Sequence, residues 1–78
     1  MVDIEIYSKD NCPFCDKAVR LAQQLVQESP NKYVVYKLGV DFEMEDMMKN
    51  FPNARTFPQI TVNGKSIGGY TEFEQMFR

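Results

Sequence analysis

The chain has 78 residues, with nine lysine and arginine residues against eleven aspartate and glutamate residues, and its formal net charge is −2. This balance gives no electrostatic support for nucleic-acid binding. We see no apolar run long enough to span a membrane and no signal peptide, so a membrane partner is not expected. Hydrophobic residues make up 44% of the chain, including six phenylalanines and four tyrosines. We therefore expect one domain, residues 1–78, that folds as a monomer.

The first half of the chain predicts strand, helix and strand. Val2, Ile4 and Ile6 alternate with acidic residues and lead to Tyr7, which is typical of a short strand. A helix is predicted from Pro13 to about Glu28, because apolar residues recur there at helical spacing. Its predicted buried stripe consists of Phe14, Ala18, Leu21, Ala22 and Leu25. The β-branched and aromatic run from Tyr33 to Leu38 predicts the second strand.

The second half predicts a short helix, a hairpin and a final helix. Asp41 is the expected cap of the short helix, whose buried stripe would be Met44, Met47, Met48 and Phe51. Asn63-Gly64 joins the strands 57–62 and 65–67, since this dipeptide favours a tight hairpin turn. Thr71 and Glu74 have capping-box spacing, and Phe73, Met76 and Phe77 would pack the last helix. The order β-α-β-α-β-β-α predicts an α/β fold, a four-stranded mixed sheet with helices on both faces.

The two cysteines lie three positions apart in Cys12-Pro13-Phe14-Cys15. Proline is favoured at the first residue of a helix, which places Cys12 at the N-cap. A thiolate there can accept hydrogen bonds from the N–H groups of Phe14 and Cys15 and is favoured by the helix dipole. We predict a redox pair in which Cys12 is exposed and activated and Cys15 lies deeper. The structural alternative is that two core cysteines share this spacing by chance. A zinc site is poorly supported, because it needs four ligands and the chain has two cysteines and no histidine.

Three segments resemble the glutaredoxin family. Tyr7-Ser8-Lys9 before Cys12-Pro13-Phe14-Cys15 resembles its dithiol active-site segment of C-P-F-C type, and Thr56-Phe57-Pro58-Gln59 resembles its T-V-P-Q segment. Ile67-Gly68-Gly69-Tyr70-Thr71 resembles the I-G-G segment that precedes the family's last helix. The compact length and the C-terminal pattern are most similar to the short glutaredoxins of T4-like bacteriophages.

The resemblance implies a thioredoxin fold and a glutathione-linked dithiol–disulfide oxidoreductase. Cys12 would attack protein disulfides or glutathione mixed disulfides, and Cys15 would resolve the product by forming the Cys12–Cys15 disulfide. Glutathione is the expected co-substrate and no metal is expected. Client proteins carrying disulfides are the expected partners, with ribonucleotide reductase as a candidate. The cysteine usage indicates a reducing compartment, the cytoplasm, which would be the host's if the chain is phage-encoded.

The resemblance also implies the residues that bind glutathione. Pro58 would be cis and present the backbone of Phe57 to the substrate, whereas a trans proline at a strand start is the default for an isolated sequence. Gly69, Tyr70 and Thr71 precede a helix N-terminus and would hold the γ-glutamyl carboxylate, although a turn without a ligand fits the residues equally well. The remaining groove residues would be the cations Lys9 and Arg55 and the aromatic residues Phe14 and Tyr7.

Two departures from the family pattern bear on glutathione binding. Phe57 replaces the usual valine and would crowd the groove. Tyr70-Thr71 stands where Cys-Asp or Ser-Asp is common, so the aspartate that faces the glutathione ammonium is expected to be missing. Two alternative functions therefore stay open. One is a thioredoxin-like electron carrier recharged by a flavoprotein reductase, and the other is a module that binds an iron–sulfur cluster.

Overall fold

The computed structural model describes residues 2–52, 54 and 56–77. Its elements follow the predicted order: β1 (Asp3–Ser8), α1 (Pro13–Glu28), β2 (Lys32–Lys37), α2 (Met44–Asn50), β3 (Gln59–Val62), β4 (Lys65–Gly68) and α3 (Tyr70–Phe77). The predicted hairpin is confirmed, with positive φ at Asn63 and Gly64. Its first strand begins at Gln59 and not at Phe57, because Pro58 has no N–H to donate to a ladder.

The four strands form one mixed sheet in the order β2-β1-β3-β4. β1 and β2 are parallel, with Asp3 opposite Lys32 and Ser8 opposite Lys37. The pairs β1–β3 and β3–β4 are antiparallel. This arrangement confirms the predicted sheet, and it brings the carboxyl end of β1 next to the start of β3.

The main core lies between the sheet and the helices α1 and α3. Ile4 and Ile6 point to this face of β1, since alternate residues of a strand share a face. Against them pack buried residues of both helices and of β3: Ala18, Ala22, Leu25, Ile60, Val62 and Phe73. Two residues predicted to pack from α1 and α3 are half exposed instead: Met76, and Phe14, whose ring lies 6.1 Å from that of Tyr70.

A second cluster covers the opposite face of the sheet. Phe42, Met47 and Phe51 are buried there and pack against Tyr7 and Tyr36. The buried stripe predicted for α2 is therefore wrong at two of its four residues, because Met44 is 51% exposed and Met48 is 68% exposed. A helix of seven residues presents only a narrow stripe to the sheet, and Met47 and Phe51, four positions apart, occupy it.

The cap predicted for α2 is also wrong. The carboxylate of Asp41 accepts a hydrogen bond from the Lys37 N–H at 2.9 Å and closes a turn before the helix. Glu43 is the N-cap instead, and its N–H donates to the Asp46 carboxylate at 2.9 Å. The helix therefore begins at Met44, because the Asp46 carboxylate, three residues after the N-cap, accepts the hydrogen bond of the Glu43 N–H.

Within residues 2–52, 54 and 56–77, no helix has the length and apolar character needed to cross a membrane. In the same residues, no group of three or more histidine, cysteine, aspartate or glutamate side chains is arranged to hold a metal ion.

Candidate active site

Cys12 occupies the N-cap of α1, as predicted. Its backbone is extended, with φ −126° and ψ 95°, and Pro13 is the first helical residue. The Cys12 Sγ accepts a hydrogen bond from the Cys15 N–H at 3.2 Å. The second predicted bond, from the Phe14 N–H, is absent from the part of the chain that the structure describes. The first turn of the helix thus directs one backbone donor and its dipole at this sulfur.

The two cysteines are joined by a disulfide, with their Cα atoms 5.2 Å apart. Cys12 is 8% exposed and Cys15 is 3% exposed, so Cys15 lies deeper, as predicted. The prediction that Cys12 is exposed is wrong for this disulfide-bonded state. The reason is that its sulfur turns toward the first turn of α1, where it meets both the Cys15 sulfur and the Cys15 N–H.

The loop before Cys12 carries an ion pair between the Asp10 carboxylate and the Lys37 ammonium, at 2.7 Å. The hydrogen bond to Asp10 and its negative charge raise the pKa of Lys37. Asp10 lies two residues before Cys12 in the sequence, and Lys37 ends the strand β2.

A groove of about 300 Å³ contains six of the nine residues predicted to form the glutathione site. The six are Phe14, Phe57, Pro58, Gly69, Tyr70 and Thr71, and Thr56 and Glu72 complete the lining. The rings of Phe14 and Tyr70 lie 6.1 Å apart, centre to centre. Residues from the first turn of α1, from the segment before β3 and from the start of α3 thus form the groove.

The two motif segments meet at the floor of this groove. The Phe57–Pro58 peptide bond is cis, as predicted. A Cβ atom at Gly69 would lie only 3.3 Å from the Pro58 carbonyl oxygen, so glycine permits this close approach. The ladder between β1 and β3 ends at the pair Tyr7–Gln59, and the backbone of Phe57 lies beyond it.

Glu72 is a groove residue that the sequence analysis missed. Its Oε1 accepts a hydrogen bond from the Gly69 N–H at 2.7 Å, so the helix start is built on Gly69 and Glu72. The predicted box of Thr71 and Glu74 is wrong, and the Glu74 carboxylate accepts from the Tyr70 hydroxyl at 2.9 Å. Glycine followed three residues later by glutamate was the available signal, since glycine is also accepted at an N-cap.

Three other predicted residues have different positions. The Lys9 ammonium lies 5.5 Å from the centre of the Phe57 ring, at one side of the groove. Tyr7 belongs to the second core cluster and does not line the groove. Arg55 lies outside the described residues. One further cation was not predicted: the Lys17 ammonium lies 5.0 Å from the centre of the Phe14 ring.

The chain is similar to known proteins in both sequence and structure. The glutaredoxin family model matches residues 4–67 of the chain. The chain belongs to the glutaredoxin family. It is 32% identical to a glutaredoxin of Haemophilus influenzae over 80 residues, covering 96% of this chain and 90% of that protein. The reduced glutaredoxin of Escherichia coli superimposes with a TM-score of 0.81 at 30% identity, covering 95% of this chain and 91% of that one.

These matches confirm the thioredoxin fold that the resemblance implied. Some members of the family are longer, and this chain spans only about half of their length. Glutaredoxin-C8 of rice is 31% identical over 68 residues, which cover 86% of this chain but 50% of that protein.

Proposed function

We propose that the protein is a glutathione-linked dithiol–disulfide oxidoreductase that reduces protein disulfides and glutathione mixed disulfides. The observation that carries this proposal is the Cys12–Cys15 disulfide at a helix N-terminus. Such a position lowers the pKa of a cysteine and makes its thiolate available for attack. Membership of the glutaredoxin family supports the same chemistry.

The forward reaction starts from the reduced pair. The Cys12 thiolate attacks one sulfur of the client disulfide, and the other client sulfur leaves as a thiolate that takes up a proton. Cys15 then loses its proton and attacks the Cys12 sulfur of the mixed disulfide. The Cys12–Cys15 bond forms, and the second client cysteine leaves as a thiol. Two electrons have passed from the protein to the client, and the product is the disulfide-bonded state of the structure.

Two glutathione molecules would restore the thiols. The first glutathione thiolate attacks the Cys12 sulfur and releases Cys15, leaving a mixed disulfide between Cys12 and glutathione. The second attacks the sulfur of the bound glutathione, so that oxidised glutathione leaves and Cys12 is again a thiolate. Each attack needs a deprotonated glutathione thiol. Of the two protons released, Cys15 takes up one as it leaves and the other goes to solvent, because Cys12 leaves as a thiolate.

The groove offers a partner for each charged group of glutathione. The N–H groups of Tyr70 and Thr71 belong to the first turn of α3 and suit the γ-glutamyl carboxylate. Glu72, which lines the groove, is the carboxylate for the ammonium group and takes the place of the aspartate that the sequence lacks. Lys9 is the candidate for the glycine carboxylate, because it lies over the ring of the groove residue Phe57.

The backbone of Phe57 would hold the peptide part of the substrate. It lies past the end of the β1–β3 ladder and lines the groove, so an extended segment can pair with it as an added strand. Such pairing would hold the client or glutathione cysteine in one register within the groove, which Phe14, the neighbour of Cys15 in the sequence, also lines.

Two serine variants test the division of labour between the cysteines. Cys12→Ser should abolish all turnover, because the attacking sulfur is gone. Cys15→Ser should block reduction of protein disulfides yet keep glutathione-dependent reduction of a small mixed disulfide, since glutathione can resolve the Cys12 adduct. The measurement is turnover on both substrates with glutathione as reductant. Equal loss in the two variants would contradict the assignment, and so would recycling by a flavoprotein reductase with no response to glutathione.

The narrower predictions concern biology and not chemistry. Ribonucleotide reductase as client, a cytoplasmic location, the monomeric state and the likeness to short bacteriophage glutaredoxins stay predictions. A pull-down with the Cys15→Ser variant, which would trap clients on Cys12 as mixed disulfides, tests the first of them.

A further inference from the structure

Two lysines flank the groove, and each lies on the face of an aromatic ring that lines it. Lys17 lies over Phe14 at one wall, and Lys9 lies over Phe57 at the other. We propose that this pair of ammonium groups makes the protein prefer client disulfides that are flanked by acidic residues. The proposal rests on the proposed function and names the class of client for the same site.

The Lys17 ammonium is fixed by the helix. Lys17 follows Phe14 by three residues in α1, a spacing that places two side chains on the same face. The Phe14 ring is 53% exposed and holds the ammonium 5.0 Å from its centre. A cation on an aromatic face keeps its charge at the surface while its position is restricted. Lys17 therefore presents a positive charge beside the groove wall nearest to the start of α1.

The Lys9 ammonium is held by a second ring that lines the groove. It lies 5.5 Å from the centre of the Phe57 ring. The centre of the Phe57 ring lies 6.4 Å from that of Phe42, a buried residue of the second core cluster. This packing restricts the position of the Phe57 ring. Valine, which the family's segment usually has at this position, offers no such face for a cation.

Three acidic side chains of the described residues bear on this charge balance. The Asp10 carboxylate is paired with Lys37. The opposing charges are Asp16, exposed in the first turn of α1, and Glu72, which keeps its charge while its carboxylate accepts the Gly69 N–H. An acidic side chain on either side of a client cysteine would meet an ammonium group at each wall, whereas a basic one would be repelled.

The test uses three peptides with one internal disulfide that differ only in the residues next to the cysteines: glutamate, glutamine or lysine. The reduced protein is mixed with each peptide, the reaction is quenched with acid, and the peptide dithiol is separated by chromatography. Each rate is divided by the rate of reduction by dithiothreitol, which carries no charge other than that of its attacking thiolate. This removes the effect of the flanking charges on the disulfide and on attack by an anionic sulfur. No glutathione is present.

We expect the glutamate peptide to react about two- to fivefold faster than the glutamine peptide, and the lysine peptide to be slower than both, as for exposed charge pairs. Lys17→Gln should reduce the ratio of glutamate to glutamine rates, and Phe14→Leu, which removes the aromatic face, should reduce it in the same direction. Lys65→Gln, on the exposed hairpin, is the control that keeps the ratio. Raising the salt from about 0.01 M to about 1 M shortens the Debye length from about 30 Å to about 3 Å and should abolish the preference.

The outcomes separate the two proposals. Equal normalised rates for the three peptides, or a ratio that Lys17→Gln leaves unchanged, overturn the preference and leave the oxidoreductase function standing. Failure to reduce any of the peptides overturns the proposed function, and the preference with it.

Discussion

Gly68 is predicted to be essential for the helix start that shapes the groove. Its φ is +111°, where side chains are disfavoured, and a Cβ atom there would lie 2.9 Å from Glu72 Oε1 and 3.0 Å from Glu72 Cγ. Gly68→Ala therefore has two effects. The backbone conformation costs roughly 1–2 kcal/mol for a residue with a Cβ atom. The Glu72 side chain must also move away from the Gly69 N–H, and losing that hydrogen bond costs about 1 kcal/mol more.

Gly64 provides the matched control. It has φ +82°, and a Cβ atom there would have no neighbour within 4 Å, so Gly64→Ala has the backbone cost alone. We expect Gly68→Ala to lower the free energy of unfolding by about 1 kcal/mol more than Gly64→Ala, a difference of about 4–8 °C in melting temperature for a domain of this size.

A double-mutant cycle then isolates the contact with Glu72. In a Glu72→Ala background, the cost of Gly68→Ala should fall by about 1 kcal/mol, because the displaced hydrogen bond is already gone. The assay is unfolding by denaturant followed by circular dichroism, with all variants in the same redox state. An equal cost of Gly68→Ala in both backgrounds would refute the reasoning.

Two further predictions concern α2 and the polar contact on its side of the sheet. Met47→Ala should lower the free energy of unfolding by about 2–5 kcal/mol, as for a buried methionine, while Met48→Ala should change it by less than about 0.5 kcal/mol, and equal effects would contradict the orientation of α2. The Tyr36 hydroxyl donates to the Glu5 carboxylate at 3.1 Å, and this bond raises the pKa of Tyr36 above its ordinary value of 10.0. A group whose pKa is higher in the folded than in the unfolded protein stabilises the fold fully at pH values below the unfolded-state pKa. This stabilisation is lost as the pH rises through the folded-state pKa. Tyr36→Phe should therefore make the free energy of unfolding fall less steeply above about pH 10, and an unchanged slope would show that this bond is not the cause.

The sequence was sufficient where local signals and the fold agree. Alternation in β1, helical spacing in α1 and the Asn63-Gly64 turn each depend on a few neighbouring residues, and all three are confirmed. The N-cap position of Cys12 follows from Pro13 alone. The family resemblance supplied what local rules could not, including the cis peptide at Pro58.

The predictions were wrong where contacts with other parts of the fold determine whether a side chain is buried. Phe14 has the spacing of a core residue, but its ring is half exposed and lines the groove with Phe57 and Tyr70. Met44 and Met48 were placed in the core because the face of a short helix cannot be fixed without knowing where the helix begins. The contact of Lys9 with Phe57 joins residues far apart in the chain, whereas the contact of Lys17 with Phe14, three positions apart on α1, had a local signal.

The central claim is that the start of α1 holds the Cys12 sulfur as a thiolate near neutral pH. The rate of alkylation of the Cys15→Ser variant, measured as a function of pH, gives the pKa of the Cys12 thiol directly. We predict a pKa within about 3.5–7.5, the range of cysteines activated at helix N-termini. A pKa near the value of about 8.5 for a free cysteine would contradict the account.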